Sequence, residues 1–257
     1  MERILNVKDL KKFYGKNTNL TKALDGVSFE VEKGEFLGIM GSSGSGKTTL
    51  LNCLATRIKP TEGIIEIKNK DLTKLKSSEL SEYRGKEIGY LFQNFELLDN
   101  LTAEENILLP ISLHKKSDLE AKRRLKLLAS YLDISEILNK FPSQMSGGQR
   151  QRIAAARSLI LDPEIVFADE PTGALDSKNA DMLIRKLAQI NEEENATILM
   201  VTHDPIAASF CKRILFIKDG KISHEIKRNN SSETQEDFYQ RILNMMPRLT
   251  GGNKNDF

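Results

Sequence analysis

The 257-residue chain has no apolar run long enough to cross a membrane. A spanning helix needs about 18–20 consecutive apolar residues. The longest runs here, such as Ile198–Val201 and Ile214–Ile217, are strand-sized. Met1 leads straight into Glu2-Arg3-Ile4, without the basic-then-apolar order of a secretory leader. Work at a membrane would therefore need a partner that crosses it. Cysteine is scarce: Cys53 and Cys211 lie far apart and in no metal-ligand spacing, which predicts two buried, reduced thiols. Neither charge dominates. The 38 Lys and Arg against 36 Asp and Glu leave a net +2, which gives no reason to expect a nucleic-acid partner. Repeats, sustained heptads and low-complexity stretches are also missing.

What remains has the balance of an ordinary soluble protein. The length suits one large α/β domain or two small ones, with about 75% of the unfolded surface buried. The first part reads as strands. Ile4–Val7 is short and apolar, and Ala23–Val31 alternates Leu24, Val27, Phe29 and Val31 with polar residues. Phe36–Met40 is continuously apolar, as in a strand covered on both faces. A helix is expected from Lys47, and a strand over Ile64–Ile67 after the turn at Pro60. From about 103 to 140 the texture is charged and helical. Leu125, Leu128 and Leu132 form a stripe, and Lys122, Arg123, Arg124 and Lys126 read as a solvated face. Strands return at Ile165–Ala168, Thr197–Val201 and Ile214–Ile217, with a helix expected over 178–190. Such alternation argues for a mainly parallel sheet flanked by helices. The tail from about Lys227 is polar, weakly amphipathic around Phe238 and Ile242, and expected to be disordered over 251–256. Its amphipathicity suits a dimer contact or no role at all.

Gly41-Ser42-Ser43-Gly44-Ser45-Gly46-Lys47-Thr48 matches the phosphate-binding loop G-x-x-x-x-G-K-[ST]. An apolar strand precedes it and a helical pattern that includes Thr49 follows. The glycines let backbone N–H groups turn toward phosphate oxygens, and the helix N-terminus adds positive potential. Lys47 should reach the β- and γ-phosphates, and the Thr48 hydroxyl should ligate Mg²⁺. Downstream, the strand Ile165–Ala168 runs into Asp169-Glu170. Successive side chains at a strand end point opposite ways, so the two acids can hold different tasks. Asp169 is the expected Mg²⁺ partner, and Glu170 the candidate base for the attacking water.

Taken together, the phosphate loop, Gln93, Ser146-Gly147-Gly148-Gln149, Asp169-Glu170, Ala174-Leu175-Asp176 and His203 resemble the ATP-binding-cassette (ABC) ATPases in order and spacing, over roughly residues 3–225. The resemblance implies an α/β P-loop NTPase fold with a mainly parallel core sheet, an antiparallel β subdomain and a helical subdomain (about 95–160). The cassette would occupy 1–225, followed by a partly disordered extension over 226–257. It implies ATP and Mg²⁺ as ligands. It makes Gln93 a Mg²⁺ and water contact, His203 the residue at the γ-phosphate and Asp176 a signal between two sites. Tyr14 resembles the aromatic that stacks on adenine, with Phe13 a near-equal alternative. Ser146–Gln149 would meet the nucleotide held by a second copy of the chain, because a Ser-Gly-Gly helix opening offers a hydroxyl and N–H groups to an anion.

The connecting sequence narrows the resemblance. Phe92–Thr102 and Glu105-Asn106-Ile107 look like the lipoprotein-release and macrolide-export branch. Val201–Ser209 and Phe216–Gly220 look closest to Bce-type cassettes of peptide-antibiotic resistance and sensing. Such cassettes act as homodimers at the cytoplasmic face of the bacterial membrane. They pair with a large permease and, through it, often with a sensor histidine kinase. Lipoprotein or macrolide export, and regulation of cell-wall hydrolysis, are the alternatives kept open.

Overall fold

The computed structural model describes residues 2–15, 20–114, 118–229 and 233–250, so the disorder expected over 251–256 lies outside the described residues. In chain order the elements are β1 (Arg3–Tyr14), β2 (Thr21–Glu32), β3 (Phe36–Met40), α1 (Lys47–Leu54), β4 (Glu62–Ile67), β5 (Lys70–Asp71), α2 (Ser77–Glu87), β6 (Ile88–Leu91), α3 (Ala103–His114), α4 (Asp118–Tyr131), α5 (Gly147–Leu159), β7 (Ile165–Asp169), α6 (Ser177–Glu194), β8 (Ile198–Val201), α7 (Pro205–Ala208), β9 (Arg213–Lys218), β10 (Lys221–Lys227) and α8 (Gln235–Thr250). They fall into two compact units. Unit one comprises Met1–Glu32, Phe36–Lys74 and Met200–Phe257, and unit two Lys33–Glu35 and Leu75–Leu199.

In unit one, β1 pairs antiparallel with β2 on one side and β4 on the other, in the order β2-β1-β4-β5. Val7 faces Phe29 across one ladder and Ile65 across the other, and all three are buried. The alternation read from Ala23–Val31 thus marks a sheet with one covered face. The second sheet of this unit runs β10-β9-β3-β8. β3 is parallel to β9, with Met40 beside Phe216, and all five of its residues are buried, as its unbroken apolar run predicts. β10 turns back antiparallel through Asp219 and Gly220, both at positive φ (49° and 72°), as a tight hairpin requires.

In unit two the order is β8-β7-β6, with β6 parallel to β7. Gly89 of β6 has no room for a side chain, because a Cβ would overlap the Ser158 carbonyl of α5. Helix α6 buries Leu183, Leu187 and Ile190 on one face, begins at an Asp176 cap and ends at Asn195 in the left-handed region (φ 54°). Each such buried leucine or isoleucine is worth about 1.5–3 kcal/mol against exposure. The stripe Leu125, Leu128 and Leu132 is buried too. Arg124 departs from the solvated face expected of its neighbours. It is half-buried and ion-paired to Glu194 (2.8 Å) and Asp162 (3.2 Å). Among the described residues, no helix is long and apolar enough to cross a membrane. Both cysteines are buried, and neither is in a disulfide.

Candidate functional site

Unit one carries the phosphate-loop pattern as a loop between β3 and α1. The amide of Ser45 closes on the Ser42 carbonyl at 3.2 Å, and Gly220 donates to the Ser45 carbonyl at 3.1 Å. Gly44 and Gly46 hold positive φ (77° and 104°), and a Cβ on Gly46 would overlap the Ala23 carbonyl. A Cβ on Gly41 would lie against the Ile217 carbonyl and 2.6 Å from Ser45 Oγ. Glycine is therefore required at 46 by conformation and at 41 by close approach. Lys47 opens α1 and is buried, its Nζ donating to the carbonyls of Gly41 (2.9 Å) and Ser42 (2.8 Å). The ammonium thus lies curled against its own loop. Ser42, Ser43, Gly44 and Thr48 are exposed around it, with Thr49 half-buried. A buried cation at a helix N-terminus, beside an open glycine-rich turn, forms an anion cradle.

The same unit holds Tyr14 and Phe13 at the end of β1. Tyr14 presents the more exposed ring, with Lys12 Nζ 5.1 Å from its centroid. Phe13 is half-buried, with Lys22 Nζ 5.7 Å from its ring. His203 is exposed in the link between β8 and α7.

Unit two gathers the remaining residues. β7 delivers Asp169, whose Oδ2 accepts from the Tyr90 hydroxyl at 3.2 Å. Glu170 departs from the strand alternation expected of the pair. It sits at φ 43°, and its carbonyl accepts from Gly173 N at 2.9 Å. The two carboxylates are therefore separated by a left-handed turn rather than by pleating. A non-glycine residue in that region is strained, and such strain concentrates at functional sites. The turn brings Gly173 beside Gln93, since a Cβ on Gly173 would lie 2.6 Å from Gln93 Nε2. Gln93 and the Glu170 turn thus share one neighbourhood.

Ser146 caps α5 through a reciprocal box. Its Oγ accepts from Gln149 N (3.2 Å), while Gln149 Oε1 accepts from Ser146 N (2.9 Å). The Gln149 amide is taken up by this box, while the Ser146 hydroxyl accepts there and keeps its own O–H as a donor. Asp176 caps α6, accepting from Asn179 N (2.9 Å) and Asn179 Nδ2 (2.7 Å). Those bonds, first the backbone and then the side-chain one, hold its carboxyl below the usual range. Gly148 has space for no side chain, because a Cβ there would overlap Asn179. The Ser146 segment and the Asp176 turn are thus packed together.

One organising residue carries no motif signal. Gln151, fully buried on α5, donates from Nε2 to the carbonyls of Phe92 (2.9 Å) and Pro171 (2.7 Å). A single amide joins the residue before Gln93 to the residue after Glu170. Arg157, also on α5, donates to the carbonyls of Phe95 (2.8 Å) and Glu96 (2.5 Å), both at positive φ. Arg150 lies over the Phe95 ring at 4.9 Å. In the sequence Gln151 lies within the polar run Gln149–Arg152 and carries no mark that sets it apart.

The family model described as "ABC transporter" matches residues 24–173. The chain is 49% identical to the bacitracin export ATP-binding protein BceA of Halalkalibacterium halodurans, over 98% of this chain and 99% of that one. It is 41% identical to the macrolide export ATP-binding/permease protein MacB of Syntrophobacter fumaroxidans, over 86% of this chain but 31% of that one. Among solved structures, the dimeric post-hydrolysis state of the ATP-binding cassette MJ0796 bound to ADP and Pi superposes with a TM-score of 0.78 at 39% identity, over 87% of this chain and 98% of that one. MJ0796 is a protein of Methanocaldococcus jannaschii. The chain belongs to the ABC transporter family and is its ATP-binding, ATP-hydrolysing subunit.

Proposed function

We propose that this chain powers a membrane permease in resistance to, and sensing of, bacitracin-like peptide antibiotics. The observation that carries this is its near full-length likeness to a bacitracin export ATP-binding protein, supported by the Bce-type segments Val201–Ser209 and Phe216–Gly220. The chain would sit at the cytoplasmic face of the membrane through that permease, and a sensor histidine kinase would join through the same partner. Macrolide export is the second reading, favoured by the MacB likeness.

Roles follow residue by residue. The loop Gly41–Thr49 and Lys47 hold the phosphates of ATP, and Tyr14 stacks on the base. Glu170 accepts a proton as the water oxygen bonds to the γ-phosphorus, while the bond to the departing ADP oxygen breaks. His203 and Gln93 orient the water and the γ-phosphate. Ser146–Gln149 of one copy meets the nucleotide of a second copy, and Asp176 links the two sites. The Ser146 hydroxyl accepts within its own box but keeps its O–H to donate to that phosphate, and hydrogen bonds to a charged acceptor are the strong ones. The resemblance of MJ0796, described as a dimer, supports the two-copy arrangement. Thr48, Asp169 and Gln93 carry hard oxygen donors and would hold Mg²⁺. Bound Mg²⁺ neutralises charge on those phosphates.

The test is ATPase activity of the chain reconstituted with its permease. Bacitracin-like peptides are expected to stimulate turnover and macrolides to leave it unchanged; the reverse pattern would replace this reading by macrolide export.

A further inference from the structure

His203 stands in a short link whose two ends are tied down. Thr202 is buried and donates its amide to the Ile39 carbonyl of β3 at 3.1 Å. Its hydroxyl accepts from Asp204 N at 3.0 Å, and Asp204 Oδ1 accepts from Ile206 N at 2.8 Å, capping α7. α7 has only four residues. One helical turn does not hold itself together, because fixing it costs more than its first hydrogen bond returns. The position of α7, and with it the C-terminal end of the His203 link, depends on what packs against it.

It packs against β3 and, more extensively, against α8. Gln235 Nε2 donates to Ser209 Oγ at 3.0 Å, and that buried hydroxyl donates to the Ile206 carbonyl at 2.7 Å. Phe238 and Ile242, one turn apart on α8, are fully buried, as are Ala207 and Ala208 of α7. α8 is itself firmly begun. Thr234 and Asp237 form a reciprocal cap, with Thr234 N donating to Asp237 Oδ2 at 3.1 Å and Asp237 N to Thr234 Oγ1 at 3.1 Å. Arg241 clasps the Glu233 carboxylate at 2.7 and 2.8 Å and donates to the Lys227 carbonyl at the end of β10 at 3.3 Å. The helix is therefore anchored at its start and docked along its apolar stripe.

We infer that α8 positions His203, acting through Ser209 and α7 without touching nucleotide, with Gln235 and Phe238 as the positioning residues. This rests on the reading of His203 as a group at the γ-phosphate. Turnover should depend on α8 while nucleotide affinity does not.

The experiment uses the full chain with ATP. Gln235→Ala should lower kcat about fivefold, the effect of one lost neutral hydrogen bond, with KM nearly unchanged. Gln235→Lys, which keeps a donor, should restore much of the rate. Phe238→Ala should lower kcat further. In a His203→Ala background, Gln235→Ala should cost nothing more, because the group it positions is gone. Wild-type kcat in both α8 variants, alongside lost turnover in His203→Ala, would overturn the brace and leave the role of His203 standing. Wild-type kcat in His203→Ala would overturn that role and the brace with it. Losses that add independently in the double variant would also overturn the brace. Should Phe238→Ala fail to fold, the Gln235 variants carry the decision alone.

Discussion

Gln151 Nε2 lies 2.7 Å from the Pro171 carbonyl, one residue after Glu170, and the same amide reaches the Phe92 carbonyl, one residue before Gln93, at 2.9 Å. The helix that begins at the Ser146 cap thus grips two of the segments assigned to water and phosphate. Replacing Gln151 by Leu keeps the volume roughly and leaves both carbonyls without this partner. Each bond lost in a buried setting costs about 1–3 kcal/mol. We expect lower stability in urea unfolding and a fall in kcat of tenfold or more, by about 1.4 kcal/mol per decade. Unchanged kcat in a folded Gln151→Leu protein would show that the Glu170 turn keeps its place without this amide.

Lys47→Ala removes a buried ammonium from the phosphate loop. Charge-assisted hydrogen bonds are worth about 1.5–3 kcal/mol, so ATP affinity should fall roughly tenfold to a hundredfold. A nucleotide titration reads this directly. An unaltered Kd would remove Lys47 from the phosphate site.

Asp176 offers a pH test. Its carboxyl is held below the ordinary range by Asn179 N and then Asn179 Nδ2. A depressed folded pKa contributes stability above the unfolded value, near 3.9, and loses it as pH falls through the folded value. Asp176→Asn should therefore narrow the stability difference between pH 7 and pH 3, measured by urea unfolding at each pH. An identical difference in the variant would show that this cap carries no linked proton.

Cys53 is buried, and burial pushes its thiol up to about 11. At pH 8 it is protonated and shielded, so a thiol-alkylating reagent should leave it unmodified in the folded chain and label it in denaturant. Rapid labelling of the native protein would contradict the burial of α1.

The cassette was legible where residue type and conformation coincide. Glycines at 41, 44 and 46 occupy the close-packed or positive-φ positions of their loop, and the unbroken apolar run Phe36–Met40 is the fully buried β3. The apolar stripe of α6 predicts a helix over 178–190, and the helix runs four residues further to an asparagine cap. α2 and β6 gave no comparable signal. α2 buries none of its residues, so it has no apolar face to read, and β6 is four residues with a glycine inside. The positive φ of Glu170 is invisible to pattern, since nothing about glutamate favours that conformation. Gln151 and Gln235 were missed for one physical reason. Their partners are hydroxyl and carbonyl oxygens far off in sequence, and a periodicity of side chains records no such bond.

Glu170→Gln should retain ATP binding and lose turnover by at least about a hundredfold, the lower end of what a positioned base supplies. Because the triphosphate then persists, this variant isolates the bound state. It also sets up the decisive experiment on a site made by two copies of the chain.

That experiment is the mass of the Glu170→Gln chain in solution, with and without ATP, and with Ser146→Arg added. The two-copy account predicts a dimer only with ATP, and its return to monomer on adding Ser146→Arg while ATP affinity stays unchanged. A dimer that survives Ser146→Arg, or a chain that stays monomeric with saturating ATP, would contradict it.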